Sequence, residues 1–307
     1  MGKGCENVTR TLFRLKGHET FVPREGWITK GMEAVAANPL IFSTQNYYGA
    51  DDLGVGSNMA KSIRYWMHVM GLSQKDRDGE HLTPLGEQVL KQDMYLEEDF
   101  TLWLLHYHLV NDKKNATSWY LYFQKGMETE LSKEGLYQFL VQQLEQEMGV
   151  FAYAEKSLRD DVTALIAMYC QGNEWKKNQD PEDKSVCPFA RLGLMRQEGK
   201  RYVSCEPDYE NVSELLVLYV ICHFFEQQAQ EKNMSAIKSI SLETLLQGKG
   251  GVASCFHMNS VMLNDYLDRL ESQGLIKVNR TAGLDMVYET ENTPKTPLGV
   301  LRMYWER

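Results

Sequence analysis

Lys61, Arg64, Tyr65 and His68 recur at intervals of three and four residues, the spacing that gathers side chains on one face of a helix. Lys75 and Arg77 follow shortly after, in a stretch that reads as a tight hairpin. Lysine and arginine neutralise phosphates, while tyrosine and histidine can reach base edges in a groove. These six residues are the candidate DNA-binding set. Asp76 and Asp78 interleave with the last two and should cancel part of their field.

Other chemistry is harder to find. Gly54-Val55-Gly56 and Gly248-Lys249-Gly250-Gly251 resemble nucleotide loops, but neither continues into a phosphate-loop or dinucleotide fingerprint. Both read as turn glycines. His106 and His108 stand two apart and face opposite ways on a helix. No spacing of His and Cys suits zinc, and the six cysteines contain no C-x-x-C pair, so free thiols are expected, several of them in the core. No cofactor, metal or catalytic residue is therefore expected, and the chain reads as non-enzymatic. The aromatics Trp103, Tyr107, Trp119, Tyr120, Tyr122 and Phe123 read as core.

The elements that would carry the six residues occupy Leu53–Leu90. Ser57 is the expected N-cap of a long helix burying Met59, Ile63, Trp66, Met67 and Met70, with Lys61, Arg64, Tyr65 and His68 left in solvent. Gly71 should end it. Leu72–Lys75 and Glu80–Leu82 should pair around Asp78-Gly79, and Thr83 should cap a returning helix that opens with Pro84. Helix, hairpin and returning helix are the parts of a winged helix-turn-helix, whose long helix can enter a major groove.

The carboxy-terminal third repeats this order. Ser241–Gln247 and Met258–Gln273 read as helices, Gly274-Leu275 as a stop, and Ile276–Arg280 with Met286–Glu289 as a hairpin. Thr296-Pro297-Leu298-Gly299 then matches Thr83-Pro84-Leu85-Gly86 letter for letter. A fainter echo surrounds Leu192-Gly193-Leu194 and Gly199. Asn264, Asp265, Asp268 and Glu271 make the second long helix acidic, which suits protein contact or dimerisation better than phosphate.

Between the two units, Phe100–Val110, Ser118–Phe123, Leu131–Gly149, Ala152–Gln171 and Glu210–Gln230 read as helices, and Gly172–Ser185 as an exposed loop. Residues 10–24 read as a strand or extended arm. Residues 92–235 carry a net charge of −10 against −9 for the whole chain, so this middle should repel DNA. The expected fold is mainly α, with a winged-helix domain at 1–92, an acidic helical domain at 93–235 and a second winged-helix domain at 236–307. No apolar run reaches the roughly 18–20 residues of a membrane span, and no signal peptide is visible, so a cytoplasmic protein is expected.

Gly17-His18-Glu19-Thr20-Phe21, Arg24, Trp27, Lys30-Gly31, the run Leu53–Met59, Arg64-Tyr65-Trp66 and Thr101–His106 together resemble a bacterial family known only as domain of unknown function 4007. The resemblance spans nearly the whole chain. It implies an encoding context near PAPS-reductase-like and cysteine-desulfurase proteins, in clusters tied to DNA phosphorothioation and phage defence. It supplies no catalytic residue. The expected function is a non-enzymatic DNA-binding or adaptor component of such a system. The expected partners are double-stranded DNA, a PAPS-reductase-like or other modification protein, and a second copy of the chain. The alternatives are a transcriptional regulator of the cluster and a protein scaffold that never touches DNA.

Overall fold

The computed structural model describes residues 13–125, 130–170, 187–209, 212–232, 238–281 and 284–306. The expected loop at Gly172–Ser185 and Cys5 lie outside them. The first unit contains α1 (Trp27–Ala37), a short 3₁₀ stretch (Thr44–Gly49), α2 (Ala50–Leu53), α3 (Ser57–Val69), the strands β1 (Ser73–Lys75) and β2 (Glu80–Leu82), and α4 (Pro84–Gln92). The middle contains α5 (Asp99–Asn111), α6 (Thr117–Lys125), β3 (Glu130–Ser132), α7 (Lys133–Met148), α8 (Glu155–Tyr169), β4 (Met195–Glu198), β5 (Arg201–Ser204) and α9 (Glu214–Lys232). The last part contains β6 (Ser239–Ser241), α10 (Leu242–Gln247), α11 (Val252–Phe256), α12 (Ser260–Ser272), β7 (Ile276–Thr281), β8 (Leu284–Glu289) and α13 (Pro297–Trp305). The fold is mainly α, with three small antiparallel sheets ordered β1-β2, β3-β5-β4 and β6-β8-β7.

Local chemistry explains most boundaries. The Thr83, Ser241 and Thr296 side chains accept the amides of Gly86, Thr244 and Gly299 and so cap α4, α10 and α13. Ser57 does not cap α3. Gly56 holds that position without a side-chain bond, and Ser57 is the first helical residue. Residues 13–24 form turns and bends, not a strand. The hairpin around Gly199 forms, but its third strand is β3, drawn from far upstream.

α5 is the hub. All of it from Phe100 to Tyr107 is buried, as are Leu109 and Val110, because α6, α9 and α11 cover it from different sides. Tyr304 of α13 stacks on Phe100 with ring centroids 3.9 Å apart, so the last helix closes against the start of the middle. One continuous apolar cluster runs from Trp27 to Leu301. Among the described residues no helix is long and apolar enough to cross a membrane.

The two histidines of α5 do point apart. His106 is fully buried, with Nδ1 2.7 Å from the Tyr169 hydroxyl and Nε2 2.6 Å from the Cys255 carbonyl. Carbonyl oxygen only accepts, so Nε2 carries the proton and Nδ1 takes the tyrosine O–H. His108 Nε2 meets the Tyr219 hydroxyl at 2.8 Å. Burial lowers His106 from 6.5 to about 3 and His108 to about 4. Both are neutral in the fold and protonate when it opens in acid. Stability is therefore expected to be full above pH 6.5 and to fall as pH drops toward these lower values. His106 alone contributes a slope of about 1.4 kcal/mol per pH unit. Urea denaturation at pH 7, 6 and 5 checks this, and a midpoint that does not move across that range contradicts it.

Candidate nucleic-acid interface

The amino-terminal loop is held on α3 by an unusual set of pins. Lys16, Glu19 and Thr20 all adopt left-handed backbone, at φ 56°, 50° and 74°. Such conformations are costly for residues other than glycine and persist only where the surroundings impose them. Here Asp161 of α8 imposes them. Its Oδ1 accepts the Lys16 amide at 2.7 Å and lies 2.9 Å from His18 Nε2, while its Oδ2 accepts the Ser118 hydroxyl at 2.5 Å. The Thr20 amide donates to His18 Nδ1 at 3.1 Å, so the network assigns the ring proton to Nε2, facing the carboxylate. Lys16 also pairs with Asp160 at 2.7 Å.

Ser118, His18 and Asp161 are the residue types of a hydrolytic triad, but their order is wrong. Serine donates to the carboxylate and not to the imidazole, and both imidazole nitrogens are engaged. All three side chains are buried. The set is a clamp. His18 stacks on Trp66 at 5.9 Å, and the Trp66 indole N–H donates to the Phe21 carbonyl at 3.0 Å. Gly17 lies so close to α3 that a Cβ there would stand 2.2 Å from a Tyr65 ring carbon.

The clamped loop, α3 and the β1–β2 hairpin enclose a cleft of about 530 Å³. Lys61, Arg64, Tyr65, His68 and Lys75 line it, and Arg77 lines an adjoining hollow shared with Arg64 and Lys75. The six expected DNA-binding residues thus share one surface. The structure corrects two of them. Tyr65 is buried, not solvent-facing: its hydroxyl donates to the Asn115 carbonyl at 3.1 Å, and burial pushes the phenol well above its usual range. It is the floor of the cleft. Arg64 is not a free cation. Its Nε and Nη2 both reach Glu80 Oε2 at 2.8 Å, and the Ser73 hydroxyl donates to the other oxygen at 2.9 Å.

The other cations of this surface are Lys61, Lys75 and Arg77, joined by Arg14, which no local spacing singles out. The Lys61 ammonium sits 4.7 Å over the Tyr48 ring, and the Arg14 guanidinium 5.2 Å over Tyr65. Asp76 remains an opposing charge, because the Asp78 and Gly79 amides donate to it at 2.8 and 3.1 Å and hold its carboxyl below the usual range, which keeps it ionised. Glu19 also lines the cleft. Nothing near Arg14 or Glu19 signals their place, which depends on a loop clamped to residues more than a hundred positions away.

Cys187, Cys222 and Cys255 are buried, and burial pushes each thiol up to about 12. Cys170 and Cys205 are also free. No group of three or more His, Cys, Asp or Glu side chains among the described residues could hold a metal ion.

Fold and cleft define a mainly helical protein with a compact basic surface set beside a small hairpin. The chain belongs to the family described as protein of unknown function DUF4007, whose model matches residues 15–305. Two solved structures share the fold. One is a magnesium ion-bound SspB, with TM-score 0.82 and 25% identity, covering 95% of this chain and 88% of that one. The other is an SspB crystal structure with TM-score 0.79 at the same identity and coverage. No curated protein matches.

Proposed function

We propose that this protein is a non-enzymatic DNA-binding or adaptor component of a DNA sulfur-modification or phage-defence system, and that the cleft is its DNA surface. The observation that carries this is the convergence of Lys61, His68 and Lys75 with Arg14 in one cleft, beside Arg77. In this reading α3, the β1–β2 hairpin and α4 act as a winged helix-turn-helix, whose hairpin presents Lys75 and Arg77 to phosphates. The phosphorothioation context and a PAPS-reductase-like partner belong to the same proposal and rest on the family resemblance.

The carboxy-terminal unit supports the adaptor half. Its wing arginine, Arg280, is taken up by Asp268 at 2.6 Å and Asn264 at 3.2 Å, so one of the two wing cations, Arg280 beside Lys277, is already paired with a carboxylate. Val261 on the same helix is 70% exposed, a feature that suits protein contact.

The test is a titration of a fluorescent DNA duplex over a series of salt concentrations. Lys61→Ala with Lys75→Ala should weaken binding and flatten the log–log salt slope by about 2 units, one for each phosphate deprived of its cation. Arg64 stays intact because it is tied to Glu80. A double variant with unchanged affinity and slope removes the cleft from the reading. A wild-type protein that retains no duplex leaves the scaffold alternative. Strong selectivity for one site would instead favour a regulator.

A further inference from the structure

The connection between α1 and α2 contributes Leu40, Phe42 and Ser43 to the hollow and Tyr48 to the cleft, and ends in a feature that core packing does not explain. Tyr47 is 72% exposed, and Leu40 at the other end of the connection is 60% exposed. Leu40 lines the hollow with Arg64, Lys75 and Arg77, and Tyr48 lines the main cleft. Tyr47 and Tyr48 both adopt left-handed backbone, at φ 44° and 60°, followed by Gly49 at 74°. Two consecutive aromatic residues in this region are unfavourable, and such strain concentrates where a side chain must be aimed.

The segment is held on its inner side. The Tyr48 amide donates to the Ser43 carbonyl at 3.0 Å, Lys61 covers the Tyr48 ring, and Gly49 is pressed on Ile41, where a Cβ would stand 2.9 Å from the side chain. Tyr48 is thereby turned inward to line the cationic cleft, and Tyr47, the residue before it in the chain, is left in solvent. A cationic track with an exposed aromatic ring beside it matches how proteins hold a nucleic-acid strand whose bases are unstacked. An intact duplex hides its base faces and gives such a ring nothing to stack on.

We propose that Tyr47 stacks on a base displaced from the helix, so that the ligand of this cleft is DNA carrying an unpaired or unstacked nucleotide. This rests on the DNA reading above and narrows its substrate class. The phosphates flanking that nucleotide lie along Lys61, Lys75 and Arg77, and the ring takes the base.

The experiment compares a duplex carrying one unpaired 2-aminopurine with the same duplex fully paired, for the wild type, Tyr47→Phe, Tyr47→Ala and Tyr47→Asn. Asparagine tolerates left-handed backbone, so it tests the ring even if alanine disturbs the turn. Wild type and Tyr47→Phe should bind the unpaired form more tightly and quench its fluorescence. Tyr47→Ala and Tyr47→Asn should lose about 5- to 150-fold on the unpaired form, the range for removing one base–aromatic stack. They should keep the wild-type affinity for the paired form, the same salt slope and the same melting temperature. Equal binding of both duplexes by the alanine and asparagine variants at wild-type strength overturns the stacking role alone. A loss shared by both duplexes, with a flatter salt slope, also overturns it, since Tyr47 would then be holding the backbone. Failure of the wild type to bind either duplex removes the DNA reading itself.

Discussion

Asp161→Ala is expected to lower the free energy of unfolding by about 3–5 kcal/mol, because it leaves three donors without their acceptor at about 1–3 kcal/mol each. The side chain is 1% exposed and receives three hydrogen bonds, from the Lys16 amide, His18 and Ser118. Alanine leaves those three donors buried without acceptors. The cost also reaches the cleft, because the same carboxylate holds Lys16, Glu19 and Thr20 in their left-handed turn. Urea denaturation measures the first effect. Amide hydrogen exchange over residues 13–21 measures the second, with protection lost there before it is lost in α5. Asp161→Asn keeps the shape and one acceptor oxygen, so it should fall between alanine and wild type. An alanine variant within about 1 kcal/mol of wild type would mean that the loop is not held by this residue.

Helix α3 shows both how far periodicity reaches and where it stops. Ile63, Trp66, Met67 and Met70 are legible as the buried face, and each is fully covered. The stops at Gly71 and Gly274 are legible too, since both take the left-handed conformation, at φ 73° and 71°, that ends a helix cheaply only at glycine. So is the cap at Thr83. Tyr65 is not legible as buried. Its position on the helix predicts solvent, and what covers it is a loop that arrives from residues 14–17 and is pinned on α6 and α8. A helical pattern reports that a face is polar on average. It does not report that a distant loop lies across it. Arg14 and Glu19 escape sequence reading for the same reason. The long-range bonds that place them leave no local spacing to read. Arg64 reads as an exposed cation because Glu80 is also polar, and nothing in a strand of three residues reveals that its carboxylate faces inward.

The pairing of Arg64 with Glu80 gives the last expected result, and its sign separates folding from binding. Glu80 is 3% exposed, and its carboxylate is satisfied by Arg64 and the Ser73 hydroxyl. Arg64→Ala should therefore cost about 2–3 kcal/mol, below the full cost of breaking a buried pair because the arginine end is partly in solvent. Lys61→Ala, one turn away on the same helix, should stay within about 0.5 kcal/mol. Adding Glu80→Gln to Arg64→Ala should recover most of the loss, because an amide can remain in that pocket without a counter-charge. A double-mutant cycle by urea denaturation yields the coupling directly. DNA binding should move the other way for Glu80→Gln alone. With the carboxylate gone, Arg64 becomes a free cation at the cleft wall, so duplex binding should tighten and the salt slope should steepen by about 1 unit. Arg64→Ala that melts like wild type would show the pair to be open in solution. Glu80→Gln that folds normally and leaves duplex binding unchanged would show that DNA does not lie along this wall.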